Sequence, residues 1–116
     1  MHWRDLEVWK KAHALVLEVY RLTLKYPKNE AYAIVDQLRR ASYSVTANIV
    51  EGQSRNTTKE YLYFLYNARG SVEEVRYFLL LSKDLGYIDN DIYQKYEAEY
   101  EIVSKMLNGL IKSLKT

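Results

Sequence analysis

Arg40, Ser44, Asn48 and Glu51 follow one another at spacings of four, four and three. That spacing sets a guanidinium, a hydroxyl, an amide and a carboxylate along one flank of a helix, where neighbours on the row can meet. Two readings of the flank are open. In one it is a hydrogen-bonded network, completed by a carboxylate such as Glu74 from a neighbouring helix, that fixes a single packing geometry because buried polar groups must be paired. In the other it is a wet helix edge whose last turn frays near Gly52. A second row holds Arg69, Arg76 and Lys83, seven residues apart, with Glu73 between the arginines. It reads either as a salt-bridged exposed face or as a stripe that contacts phosphates.

Other chemistry is limited by residue type. Glu51, Glu60, Glu73 and Glu74 are carboxylates that could pair, but each has an ordinary helix-surface or capping role. His2 and His13 are the only histidines, and neither follows a glutamate by three, so the Glu-x-x-His di-iron motif of helical bundles is absent. No glycine-rich phosphate loop and no Ser/His/Asp set occurs. With no cysteine, disulfides, thiolate zinc sites and thiol nucleophiles are excluded. The expectation is no catalytic residue, no metal site and no cofactor.

The elements that carry these residues are helices. The 116-residue chain fits one domain, 1–116, and contains one proline and four glycines, too few breakers for many short strands. Hydrophobic residues make up 48% and charged residues 28%, enough apolar side chains for a core under a soluble surface. No apolar run approaches a membrane span, and the charged start MHWRDLEVWKK lacks a signal-peptide core, so a cytoplasmic location is expected. Formal net charge is +2, unevenly spread. Residues 1–59 hold ten Lys+Arg against six Asp+Glu, a balance of +4. Residues 60–116 hold seven against nine, a balance of −2.

Periodicity gives four segments. The first runs from about Arg4 to Lys25, with Val8, Ala12, Leu15, Val19 and Leu22 on one face, and Pro27 ends it. The second runs from about Glu30 to Glu51, with Asn29 as N-cap, Ile34, Leu38, Ala41, Val45 and Ile49 as its face, and Gly52 as a left-handed stop. The third opens on a Thr57–Glu60 capping box, repeats Tyr61, Leu65, Ala68, Val72, Val75 and Leu79, and closes at Gly86. The fourth follows Asp89 and buries Ile92, Tyr96, Tyr100, Val103, Leu107, Leu110 and Leu114. Short connections make neighbours antiparallel, which predicts an all-α, up-down-up-down four-helix bundle.

Two of these helices are apolar on a second side. Opposite Leu38 on helix two lie Arg40, Tyr43, Ala47 and Val50. The far side of helix three carries Tyr63, Tyr66, Gly70, Glu74, Tyr77 and Leu81. A helix apolar on two sides wants two partners, its own bundle and a neighbouring subunit. Gly70 in mid-helix costs roughly 1 kcal/mol against Ala, which close approach of another backbone or ring would justify. The expected oligomer interface is therefore Tyr43, Ala47, Val50, Tyr63, Gly70 and Tyr77. The twelve tyrosines suit packing at such interfaces, and could also stack on bases.

Trp9-Lys10, Pro27-Lys28, Gln37-Leu38-Arg39-Arg40-Ala41, Ser44, Asn48-Ile49, Glu51-Gly52, Arg55 and Gly70-Ser71 together resemble the bacterial four-helix bundle proteins encoded within intervening sequences of large-subunit ribosomal RNA genes, also labelled S23 ribosomal proteins. The stretch NIVEG carries the most specific part. The sequence departs from the family pattern at Thr46, where the family often has proline, and at Val50, where it usually has alanine. The resemblance implies the same bundle and a homopentameric assembly, as in the related accessory proteins of diversity-generating retroelements, which bind nucleic acid. The rRNA-associated members have no established activity, and the first functional expectation here is a non-enzymatic homo-oligomer that contacts RNA or DNA backbone through a basic surface, with Arg39, Arg40, Arg55, Lys59, Arg69 and Arg76 as the candidates. The alternative is a protein-interaction scaffold whose partner is another protein.

Overall fold

The computed structural model describes residues 2–116 and holds four α-helices, α1 (Glu7–Thr23), α2 (Asp36–Gln53), α3 (Thr58–Asp84) and α4 (Asn90–Lys115). Contacts across the bundle fix its order. Lys11 of α1 pairs with Glu99 of α4, and Arg39 of α2 bonds Thr23 of α1. Ser44 of α2 meets Ser71 of α3, and Arg76 of α3 meets Glu97 of α4. Each helix thus packs beside its neighbours in sequence, α4 closes the square against α1, and the topology is up-down-up-down. The expected bundle is present, about 44 Å long.

The predicted faces make the core. Leu15, Val19, Leu38, Val45, Ile49, Leu65, Val72, Val75, Leu79, Val103 and Leu107 are all buried to within 2%. Each contributes roughly 1.5–3 kcal/mol by leaving water. At the end of α4 the packing shifts by one position. Ile111 is buried, while Leu110 and Leu114 are half-buried against the cluster.

The helix ends differ from expectation in three places. First, residues Trp3–Asp5 form a separate 3-10 turn, set off from α1 by extended Leu6, so the first helix does not begin at Arg4. Second, Asn29 is not an N-cap but lies within a 3-10 turn, Lys28–Glu30, closed by the Glu30 amide on the Pro27 carbonyl at 2.9 Å. A π-helical turn, Ala31–Val35, then leads into α2. Its wider winding advances the apolar face, so that adjacent Ile34 and Val35 are both buried ahead of Leu38.

Third, α2 runs through Gly52 and ends at Gln53. Gly52 adopts no left-handed conformation, because Gly86 (φ 82°) is the one positive-φ residue among those described. What position 52 requires is space. A Cβ there would meet the Phe64 Cβ at 2.9 Å and the Tyr61 ring at 3.0 Å, since α2 and α3 converge beside their short connection. Gly86 does provide the expected stop. The Gly86 amide bonds the Lys83 carbonyl and the Tyr87 amide bonds the Ser82 carbonyl, both at 2.9 Å, the paired bonds of a Schellman ending. At the other end of α3, the Thr57 hydroxyl accepts from the Glu60 amide at 3.2 Å. Asp89 caps α4 by accepting from the Ile92 amide at 2.8 Å.

Candidate assembly surface

The polar flank of α2 divides into two groups. Ser44 and Ser71 hydroxyls lie 2.9 Å apart across the α2–α3 seam. The Asn48 amide donates to the Ser44 carbonyl at 2.8 Å and to its hydroxyl at 3.1 Å. These three side chains tie α2 to α3. Glu51 is exposed and turns away to Arg55, 2.9 Å distant. Arg40 and Glu74 make no hydrogen bond or ion pair among the described residues. Both instead line a groove of about 370 Å³ between α2 and α3, together with Tyr43 and Ala47. Ser71, singled out from the sequence only within the Gly70-Ser71 pair of the resemblance, was not expected in this seam, although it stands three residues after Ala68 on the α3 core row.

The cations singled out from the sequence have different surroundings. Arg39 donates from Nε to the Thr23 hydroxyl at 2.8 Å and lies over the Tyr20 ring, 4.4 Å from its centre. Arg69 donates to Asn108 at 3.1 Å and lies over Tyr66. Arg76, half-buried, donates from Nε to Glu97 at 2.8 Å and pairs with Glu73 at 3.2 Å. The hydrogen bond to Glu97 pushes the Arg76 guanidinium further above its ordinary range, so it stays charged at every accessible pH. These three arginines clamp α1 to α2 and α3 to α4. Arg55, beyond α2, lies over Phe64 and faces Glu51. Lys59, in the first turn of α3, is exposed and makes no ion pair among the described residues. Arg55 and Lys59 border one depression with Tyr63 and Phe64. Arg40 stands apart, in the groove between α2 and α3.

The second apolar side of α2 and α3 lies on the surface. Tyr43 is 44% exposed, Tyr63 61% and Tyr77 57%. Ala47 is exposed and Val50 half-buried. Tyr63, Gly70 and Tyr77, spaced by seven, stand in one line on the outside of α3. A Cβ on Gly70 would meet nothing within 4 Å in its own chain. Between two large exposed rings, position 70 is therefore a notch. Tyr100 is the contrasting case. It is wholly buried, its hydroxyl has no partner among the described residues, and burial pushes its phenol well above the ordinary value.

An up-down-up-down bundle with an aromatic outer face and a small-residue α2–α3 seam defines the class of the protein. Among the described residues no group of three metal-ligating side chains occurs, and no helix is long and apolar enough to cross a membrane. The family described as 23S rRNA-intervening sequence protein matches residues 4–109, and the chain belongs to it. One similar solved structure is a protein with unknown function from the S23 ribosomal protein family of Bacteroides thetaiotaomicron VPI-5482. It is 21% identical, with a TM-score of 0.81 over 90% of this chain and 98% of its own. At that identity the likeness shows the shared fold. No curated protein matches the chain.

Proposed function

We propose that the protein acts without catalysis, as a homo-oligomer whose subunits meet through the outer face of α2 and α3. The observation that carries this reading is the line Tyr63, Gly70, Tyr77. Two rings more than half exposed flank a glycine that nothing in its own chain fills. Large aromatic groups left in water cost free energy that burial against a second subunit recovers. Tyr43 and Ala47 extend the face onto α2. The family resemblance supports a pentamer as the size of the assembly.

Tyr43→Glu and Tyr77→Glu test the reading. Each side chain is exposed in the single chain, so a carboxylate there leaves the fold intact. At an interface the same charge would be stripped of water. Gel filtration should show smaller particles with unchanged helical circular dichroism. Variants that elute with the wild type would refute this face as the contact.

A second reading adds contact with the RNA or DNA backbone. Lys59 without an ion pair and Arg55 beside exposed Tyr63 favour it, since cations and an open ring together suit phosphate contact and base stacking. Repetition of this small patch around an oligomer would raise its avidity. Binding should weaken steeply with salt, and Arg55→Ala with Lys59→Ala should lower both affinity and salt slope without changing particle size. No binding to structured RNA or duplex DNA at low salt would leave the alternative, a scaffold for another protein.

A further inference from the structure

Antiparallel packing gathers distant residues at one end of the bundle. The first turns of α1 and α3 lie there with the last turns of α2 and α4. Residues 2–14, 46–70 and 102–116, which make up this half, hold nine Lys+Arg against four Asp+Glu, a balance of +5. The other half, residues 15–45 and 71–101, holds eight against eleven, a balance of −3. Polarity along the bundle axis thus exceeds that between the two halves of the sequence. Arg55 and Lys59 belong to the basic end, and so do Arg4, Lys10 and the last-turn Lys112 and Lys115.

The same end carries a row of four rings in contact. The centres of His2 and Trp3 lie 4.8 Å apart, those of Trp3 and Trp9 4.8 Å, and those of Trp9 and His13 4.9 Å. The Trp9 and His13 planes are within 6° of parallel. The guanidinium of Arg4 lies 4.5 Å from the centre of the Trp3 ring. The row is fixed at both ends of the Trp3–Asp5 turn. His2 Nδ1 accepts from the Arg4 amide at 3.2 Å, and Trp9 packs against the core. Packing accounts for the two inner rings, which are half-buried. It does not account for the outer two. His2 and His13 are exposed, and each has one ring neighbour among the described residues, so the row ends in water on both sides.

We propose that this row is a stacking platform for the bases of single-stranded nucleic acid, whose phosphates the basic end of the bundle attracts. The proposal rests on the nucleic-acid reading above and adds to it a second site and a strand preference. An exposed imidazole already stacked face to face on an indole offers a surface on which an unpaired base continues the series. Cations alone bind single strands and duplexes alike, because both present phosphates. Rings discriminate. In a duplex the base faces are covered by their neighbours, and only an unpaired base can splay onto an aromatic side chain. A membrane of anionic lipid would also meet a basic end. Trp3 and Trp9, however, are half-buried and engaged with other rings, so neither projects as insertion into lipid requires.

Trp3 and Trp9 are the only tryptophans in the chain, so its own fluorescence reports on the platform. The wild-type protein is titrated at low salt with an oligouridylate, with an RNA duplex of equal length and with vesicles of anionic lipid. The oligouridylate should quench the emission by at least a third and bind at least tenfold more tightly than the duplex. His13→Ala and Trp3→Ala, both outside the buried core, should each weaken single-strand binding at least fivefold. Both should leave duplex affinity and helical circular dichroism unchanged. Arg55→Ala with Lys59→Ala should instead lower the affinity for strand and duplex together. RNA binding with unchanged emission, or with equal affinity for strand and duplex, would overturn the platform and leave phosphate contact at Arg55 and Lys59 standing. Emission that responds to the vesicles and to neither RNA would overturn it in favour of a lipid surface. No binding of either RNA would remove the nucleic-acid reading together with the platform.

Discussion

A Cβ placed on Gly52 of α2 would lie 2.9 Å from the Cβ of Phe64 in α3. The same atom would lie 3.2 Å from the Tyr61 carbonyl, which is backbone and cannot swing aside. Gly52→Ala should therefore push the two helices apart and cost roughly 1–3 kcal/mol, the range of overpacking, despite the better helix propensity of Ala. Urea denaturation measures it. Gly70→Ala is the internal control, because position 70 is open in the single chain. It should stabilise a dissociated subunit by about 1 kcal/mol through propensity alone. Equal effects at the two positions would contradict the close approach at Gly52.

The contrast between these glycines shows what could be read from the sequence. Helix faces such as Val8, Ala12, Leu15 and Val19 were legible because burial imposes a period that the residue types record. Gly86 was legible as a stop because nothing apolar continues the period past it. Gly52 was misread. A glycine at the end of a periodic run signals a left-handed cap or a close approach equally well, and only the convergence of α2 on α3 decides between them. The start of α2 was misplaced for a related reason. Asn29 has the residue type of a cap, but the chain leaving Pro27 winds through 3-10 and π turns that no residue type announces. At the candidate site, the aromatic line on α3 was visible from its period. The partners of Arg39, Arg69 and Arg76 lie 16, 39 and 21 residues away and leave no local trace.

Asn48 and Glu51 should separate in a stability measurement. Asn48 bonds both the carbonyl and the hydroxyl of Ser44 in a partly buried seam. Asn48→Ala should destabilise the protein by roughly 1 kcal/mol, the net value of a hydrogen bond of this kind. Glu51 pairs with Arg55 at the surface, one turn away. Glu51→Ala should change stability by less than about 0.5 kcal/mol. The reverse order would mean that Glu51 joins the seam and Asn48 does not.

Tyr100 predicts an alkaline limit to stability. Burial holds its phenol in the neutral form, so its folded pKa stands above the unfolded value near 10. The stability tied to this shift is complete below pH about 10 and is lost as pH rises beyond it, because the unfolded chain then releases a proton that the folded chain retains. Chemical denaturation at pH 8, 9, 10 and 11 should show the fall. Tyr100→Phe should make it shallower. Because the buried hydroxyl has no partner among the described residues, the same substitution should stabilise the protein by about 1 kcal/mol at neutral pH. A loss of stability there would reveal a partner for the hydroxyl.

The most direct test of the account is the mass of the wild-type protein in solution. The exposed line on α3 and its notch at Gly70 form the surface that a second copy of the chain is proposed to cover. Light scattering at micromolar concentration should give a single species of about five times the 13.8 kDa chain mass. A single species at the mass of one chain, persisting as concentration rises, would contradict the account.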